Sequence, residues 1–348
     1  MDNYYSAGPA ESPEYIGVAA PDAEEQKRGR LRRIVRPFGR FFARRGLAGW
    51  LWRGLLLSVF FLLIYYPLGM VLTHEIDDDL DFTVTNPGEG SSRAVAIAAA
   101  LIGREVDQHG WRANDPFFLP SSLLDNMPNY QQGMISALAR FAFELTDQIG
   151  RTRGSSQADP DLQEASGLLQ YSGTKWVFDL STSLAPTATS EAQYRKAMRA
   201  LLSYNARLAS GDAVFERRAD NLLATLDRMA ADLGSSSAVL EHRLDAGRAL
   251  FDRQADDVFY GVKGRLYAYY LLLRELGRDF DSVIADRDLG PAWDQMLDSI
   301  AQAAALRPWV VINGSPDSQF FASHLAAQGF FLLRARTQLR EITNILLK

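Results

Sequence analysis

A chain of 348 residues, 47% of them hydrophobic, can bury a sizeable core and still spare one long apolar run. It has no cysteine, which excludes a disulfide framework, thiol catalysis and cysteine-ligated zinc. Its net charge of −5 hides an asymmetry: six acids and ten bases before Gly54 total +4, leaving −9 for the remainder, which argues against nucleic acid as a partner.

Residues 1–26 hold all six of those acids among Tyr4, Tyr5, Pro9, Pro13, Tyr15 and Pro21, a composition expected to stay disordered. Residues 27–53 hold the ten bases and no acid. There Arg32, Arg33, Arg36, Arg40, Arg44 and Arg45 interleave with Ile34, Val35, Phe38, Phe41, Phe42 and Leu47. That mixture suits an anionic lipid headgroup layer, where each cation contributes about 1 kcal/mol. Nucleic-acid binding by this stretch is the alternative, disfavoured because an apolar run follows directly.

That run, Gly54–Thr73, has no ionisable group except Tyr65 and Tyr66. Twenty helical residues rise about 30 Å, the thickness of a bilayer's hydrocarbon core. Trp50 and Trp52 mark one edge and the two tyrosines lie toward the other, as amphipathic rings prefer. The outer flank reads Glu75-Ile76-Asp77-Asp78-Asp79-Leu80-Asp81. Cations stay on the cytoplasmic side, so the N-terminus is expected inside and the C-terminal part outside. A cleavable signal is disfavoured, because the polar region before the run is too long and no small-x-small site follows. The expected division is a cytoplasmic tail over 1–53, a transmembrane helix over 54–73, a linker over 74–92 and a helical domain over 93–348.

Beyond Ser92 the apolar spacing is three and four almost throughout. Met134, Leu138, Phe141, Leu145 and Ile149 form one stripe, and Leu222, Leu226, Met229 and Leu233 another. Breaks are expected at Gly110–Ser121, Arg153–Pro160, Ser183–Ser190, Gly234–Ser237, Asp288–Pro291 and Arg307–Asp317. Val239 to Ile284 reads as one long helix, or two joined near Gly261–Gly264. Trp309–Ile312 is strand-like but has no partner run, and is taken as an extended loop or helix end. The fold class is all-α: an irregular bundle of seven to nine helices following one N-terminal transmembrane helix.

Catalytic fingerprints are missing: there is no GxSxG, phosphate loop or dinucleotide motif, and no cofactor is expected. The four histidines are scattered, with His109 and His242 read as solvated positions. Asp77–Asp81 lacks the glycine and glutamate that a calcium loop needs, so no metal site is expected. The densest unusual segment runs from Gly110 to Gly133. Its Trp111, Asn114, Asp115, Asp125, Asn126, Asn129 and Tyr130 are candidate ligand-binding residues, because aromatics mixed with amides and carboxylates suit polar ligands such as sugars or peptides. Asp115 and Asp125 could pair for glycoside cleavage. The plainer reading makes them turn and capping residues whose neighbouring aromatics cover adjoining helices. Lys263, Arg265, Tyr267, Tyr269 and Tyr270 form a second cluster, whose tyrosines are read as lining a core edge rather than a pocket.

The run Gly-Trp-x-x-Asn-Asp-Pro-Phe-Phe from Gly110, followed by Leu-Asp-Asn-Met-Pro-Asn-Tyr-Gln-x-Gly ending at Gly133, resembles a family of uncharacterised proteobacterial envelope proteins, the domain of unknown function twenty-three thirty-three. The resemblance covers the chain from the apolar run to the C-terminus. It implies a bacterial inner membrane and a periplasmic domain, and supplies no activity. The expected function is an inner-membrane-anchored helical protein that binds or scaffolds another envelope component, a protein or a cell-wall ligand, without catalysis. A cell-wall hydrolase and a transmembrane sensor or assembly factor are the alternatives.

Overall fold

A computed structural model of the protein describes residues 47–85, 87–149, 158–178, 185–246, 252–314 and 323–348. The six arginines assigned to the membrane surface, from Arg32 to Arg45, lie outside the described residues, as does the acidic stretch before them. Ten α-helices and no strand occur among the described residues, in agreement with the all-α class. They are α1 (Leu47–Thr73), α2 (Arg93–Gly103), α3 (Asn126–Glu144), α4 (Pro160–Leu169), α5 (Ser190–Ser210), α6 (Ala219–Asp245), α7 (Arg253–Asp279), α8 (Asp281–Asp286), α9 (Gly290–Ala304) and α10 (His324–Leu346).

The chain divides into two compact units, Met1–Ile64 and Tyr65–Lys348, with α1 running across the division. In α1, Gly49–Thr73 is long and apolar enough to cross a membrane, and its most apolar window is wholly unburied. A core helix of a soluble protein would be covered by its neighbours. The exposed run fits a membrane anchor instead.

Within the second unit α7 is the central element. Asp252 caps its N-terminus by accepting from Ala255 N. From Phe259 to Leu276 most of its side chains are buried, Tyr267 and Tyr269 fully so, and it packs against α2, α3 and α9. The stripes anticipated on α3 and α6 face this core, with Met134, Phe141, Leu222 and Met229 fully buried. At the far end of α7, Asp279 accepts from Ser92 Oγ at 2.6 Å and from the backbone of Arg93 and Ala94 at 2.9 and 3.0 Å. A carboxylate thereby satisfies the free amides that open α2.

Two expected breaks move. Gly234–Ser237 lies inside continuous α6, where the hydroxyls of Ser235, Ser236 and Ser237 each donate to the carbonyl one turn back, at 3.3–3.4 Å, and so do not compete for the backbone as in a turn. Gly234 leaves room for the Arg336 guanidinium of α10. Of the two readings of Val239–Ile284, one long helix or a join near Gly261–Gly264, neither describes the outcome: α6 ends at Asp245, α7 begins at Arg253, and α7 runs unbroken through Gly261–Gly264. Gly261 and Gly264 serve a close crossing: a β-carbon at Gly264 would overlap the Tyr130 carbonyl, and one at Gly133 the Gly261 carbonyl. Small residues let the backbones of α3 and α7 touch there.

Candidate functional site

Residues 74–82, expected as part of a linker, instead form a strap docked on the bundle. Four of its carbonyls find partners far away in sequence. Tyr130 Oη of α3 donates to the Asp77 carbonyl at 2.8 Å, and Tyr267 Oη of α7 donates to the Asp79 carbonyl at 2.8 Å. Arg274 donates to the carbonyls of Leu80 and Phe82, both at 2.6 Å. Arg104 donates to the Asp77 carbonyl at 2.9 Å and to Tyr267 Oη at 2.8 Å, and its guanidinium stacks 4.8 Å from the Phe82 ring. Arg104 opens a π-helical turn, Arg104–Gln108, that continues α2. Such turns recur where a side chain must be re-aimed.

Asp78 is the deepest point of the strap. It is 5% exposed and meets the Lys263 ammonium, 1% exposed, at 2.6 Å. Lys263 spends its other two protons on the carbonyls of Ala304 and Leu306, at 2.6 and 2.7 Å. Arg307 adds a second cation, its Nε 2.9 Å from Asp78 Oδ2. Burial pushes the Asp78 carboxyl up, but hydrogen bonds and charge from Arg307 and Lys263 outweigh it and hold the group below its ordinary range. At Lys263 burial wins, and the ammonium is pushed down despite Asp78. His109, expected to be solvated, has a side chain only 9% exposed, 3.5 Å from Glu105 and 3.7 Å from Glu75 of the strap. Its hydrogen bond to Glu105 raises its pKa against the cost of burial.

One opening is lined by the strap, and a second has none of the strap's residues in its lining. The first, of about 430 Å³, is lined by the strap from His74 to Asp79 with Tyr260, Lys263, Arg307 and Pro308. The next, of about 190 Å³, starts where that lining ends in sequence and is bounded by Asn126, Asp252, Arg253, Asp256 and Trp309–Val311. Trp309 is fully exposed. Asp256 is held up at about 6, first by burial and then by the charges of Asp125 and Asp257. The Asn126 amide, oriented nitrogen inward, donates to Asp256 and to Asp125 Oδ1. An exposed indole beside a carboxyl that titrates near neutrality can stack on a flat or sugar-like face while hydrogen bonding to its edge.

The seven candidates from the sequence separate into two groups. Trp111 is buried, with Nε1 donating to the Gly173 carbonyl at 2.7 Å and its ring edge-on to Tyr194 at 4.9 Å. Asn114 is buried and donates to the Lys175 carbonyl at 2.8 Å and to Glu191 at 2.6 Å. Asp115 accepts from Ser121 Oγ and lies 3.6 Å from Arg112. Tyr130 is fully buried on the strap. These four hold loops and helices together. Asp125, Asn126 and Asn129 lie on the other side, at the start of α3. Asp125 caps that helix and pairs with Arg253 at 3.4 Å, and Asn129 donates to Asp257 at 2.7 Å. Asp115 and Asp125 therefore have separate partners and do not share a site. Sequence reasoning missed Asp78, Arg307, Asp256 and Trp309 as site residues, and placed Lys263 only in a core-edge cluster. The adjacent acids Asp256-Asp257 behind the helix-start residue Asp252 were the available signal for one of them. No cluster of metal-ligating side chains occurs among the described residues.

Residues 84–254 match the model of a family described as an uncharacterized protein conserved in bacteria, DUF2333. The matched stretch includes the Gly110–Gly133 segment that carried the resemblance and stops at the first turn of α7. No curated protein and no solved structure matches the chain.

Proposed function

We propose, from a chain whose residues 84–254 belong to the DUF2333 family of uncharacterized bacterial proteins, that it is a single-pass inner-membrane anchor whose periplasmic helical domain binds or scaffolds another envelope component. The charge asymmetry around α1 supports this orientation, with cytoplasmic arginines from Arg32 to Arg45 on anionic headgroups and no nucleic-acid partner. One observation carries the reading: the strap that follows α1 is bolted into the bundle through Asp78, Lys263 and Arg307. A bolted strap holds the domain at a set distance from the end of α1, as a scaffold requires and a flexible tether does not provide. The bound component is a protein partner, a peptidoglycan fragment or a lipid precursor, gripped at the groove of Asp125, Asn126, Asp256 and Trp309.

Co-purification from detergent-solubilised membranes tests this, comparing the full-length protein with Trp309→Ala, Asp256→Asn and the surface control Leu202→Ala. The reading expects a component whose recovery falls at least several-fold with the two groove variants and not with the control. Identical recoveries from all four proteins would contradict it. The raised pKa of Asp256 favours a second reading, a cell-wall glycan hydrolase in which this carboxyl donates the proton. Full in vivo function of an Asp125→Asn/Asp256→Asn variant would exclude that mechanism.

A further inference from the structure

An uncharged aromatic patch lies beside the outer turns of α1. Between Asp115 and Asp125 the sequence Pro116-Phe-Phe-Leu-Pro-Ser-Ser-Leu-Leu124 carries no charge. Phe117 is 83% exposed, and Phe118, Leu123 and Phe178 about half exposed. The rings form a chain, Phe117 to Phe118 at 5.6 Å, Phe118 to Trp176 at 5.8 Å and Trp176 to Phe178 at 5.6 Å. In water such a surface is unfavourable, since each exposed ring would gain by burial.

The placement of the patch identifies its solvent. Tyr65 Oη donates to the Phe118 carbonyl at 3.1 Å and Tyr66 Oη to the Phe117 carbonyl at 2.8 Å. Pro120 packs against Gly69, where a β-carbon would collide with it. These residues belong to the apolar stretch of α1 itself, and Tyr65 lies eight residues before Thr73, about 12 Å of helix rise below the end. A loop fastened at that level enters whatever layer surrounds α1 there. The carbonyls of Pro116, Phe117, Phe118, Leu119 and Ser121 are already satisfied from within the protein. Besides the two tyrosine bonds, Ser122 Oγ donates to Leu119, Thr187 Oγ1 to Trp176 and the Thr187 amide to Val177, at 2.6–2.9 Å. Irregular backbone tolerates a lipid layer only when its polar groups are paired in this way.

We infer that Phe117, Phe118, Leu123, Trp176 and Phe178 form a membrane-inserted aromatic foot, seating the helical domain on the outer leaflet beside α1 with rings at the acyl–headgroup boundary. This rests on the reading of α1 as a membrane anchor and adds a second lipid contact to it. The foot and the strap then act together, one fixing the domain on the bilayer and the other joining it to the anchor.

The cysteine-free chain permits a direct test with single nitroxide labels in the full-length protein reconstituted into vesicles of phosphatidylethanolamine and phosphatidylglycerol. Labels go at Phe117→Cys and Phe178→Cys, with Leu62→Cys in the apolar helix and Leu202→Cys on α5 as references. The ratio of collision rates with oxygen, which concentrates in lipid, to those with a water-soluble nickel chelate reports the surroundings. The foot is expected to give ratios several-fold above that of Leu202, approaching that of Leu62. Ratios equal to that of Leu202, with Leu62 in lipid, would overturn the foot while leaving the anchor standing. An immobilised label at 117 and 178 that neither reagent reaches would mean that a protein surface covers the patch, and would overturn it as well. A water-exposed Leu62 would overturn the anchor and the foot together.

Discussion

At the scale of single residues, Asp78 and Asp256 are two carboxyls of one helical unit driven in opposite directions by their neighbours. Asp78 faces two cations, and its depressed pKa means that its contribution to stability is fully present above its ordinary value near 3.8 and is lost as pH falls through the folded-state value. Asp78→Ala should leave Lys263 buried without a counter-charge and cost about 3–5 kcal/mol. Adding Lys263→Met should recover most of that loss, as measured by thermal unfolding of the detergent-solubilised protein. An unchanged melting temperature for Asp78→Ala alone would show that the strap is not held there. Asp256 has the reverse linkage. Its pKa of about 6 means that the ionised carboxyl is penalised in the folded state, with no penalty below about pH 4 and the full penalty above pH 6. Asp256 is only half-buried, so water screens part of this penalty, and Asp256→Asn should gain about 1 kcal/mol over the parent at pH 7, a difference that vanishes toward pH 4. A pH-independent difference would contradict the assignment. Neither group was legible as a site residue. Asp78 reads in sequence as one acid in an outer flank, and its partners Lys263 and Arg307 lie 185 and 229 residues away.

Among the elements, the α3–α7 crossing separates what periodicity reveals from what it conceals. Met134, Leu138, Phe141, Leu145 and Ile149 repeat at three and four and all are buried, because one helix face must leave water wherever it packs. Glycine is ambiguous to the same reading. Gly261 and Gly264 suggest a join, yet the missing side chains of Gly264 and of Gly133 on α3 are what lets α7 run straight past α3. Gly234 similarly sits inside α6 to make room for Arg336. Gly264→Ala should clash with the Tyr130 backbone and destabilise the protein by several kcal/mol, as overpacking at a tight contact does. Gly167→Ala provides the contrast: it lies in α4 with open space around it, and should be neutral or stabilising by up to about 1 kcal/mol. Chemical denaturation of the two variants checks the pair. Equal effects would mean that helix propensity, rather than the crossing, governs both positions.

At the scale of the whole chain, the described residues comprise one exposed apolar helix and nine further α-helices. The apolar helix was plain in the sequence, because a twenty-residue run without charge is rare except where hydrocarbon is the solvent. Of the Gly110–Gly133 segment, the sequence located the unusual residues but not their roles. Trp111, Asn114 and Tyr130 are internal ties, whereas Phe117 and Phe118 face outward. Asn126 lines its groove with Asp256 and Trp309, and Asp125 and Asn129 are tied to Arg253 and Asp257, partners that no spacing rule connects to them. Anchoring with the N-terminus in the cytoplasm is the claim on which the proposed function and the aromatic foot both depend. The most direct test places alkaline phosphatase, which folds only outside the cytoplasm, and green fluorescent protein in turn after Lys348. Strong phosphatase activity from the first fusion and darkness from the Sec-exported second are expected. An inactive phosphatase paired with a fluorescent protein would place the helical domain in the cytoplasm and contradict the account.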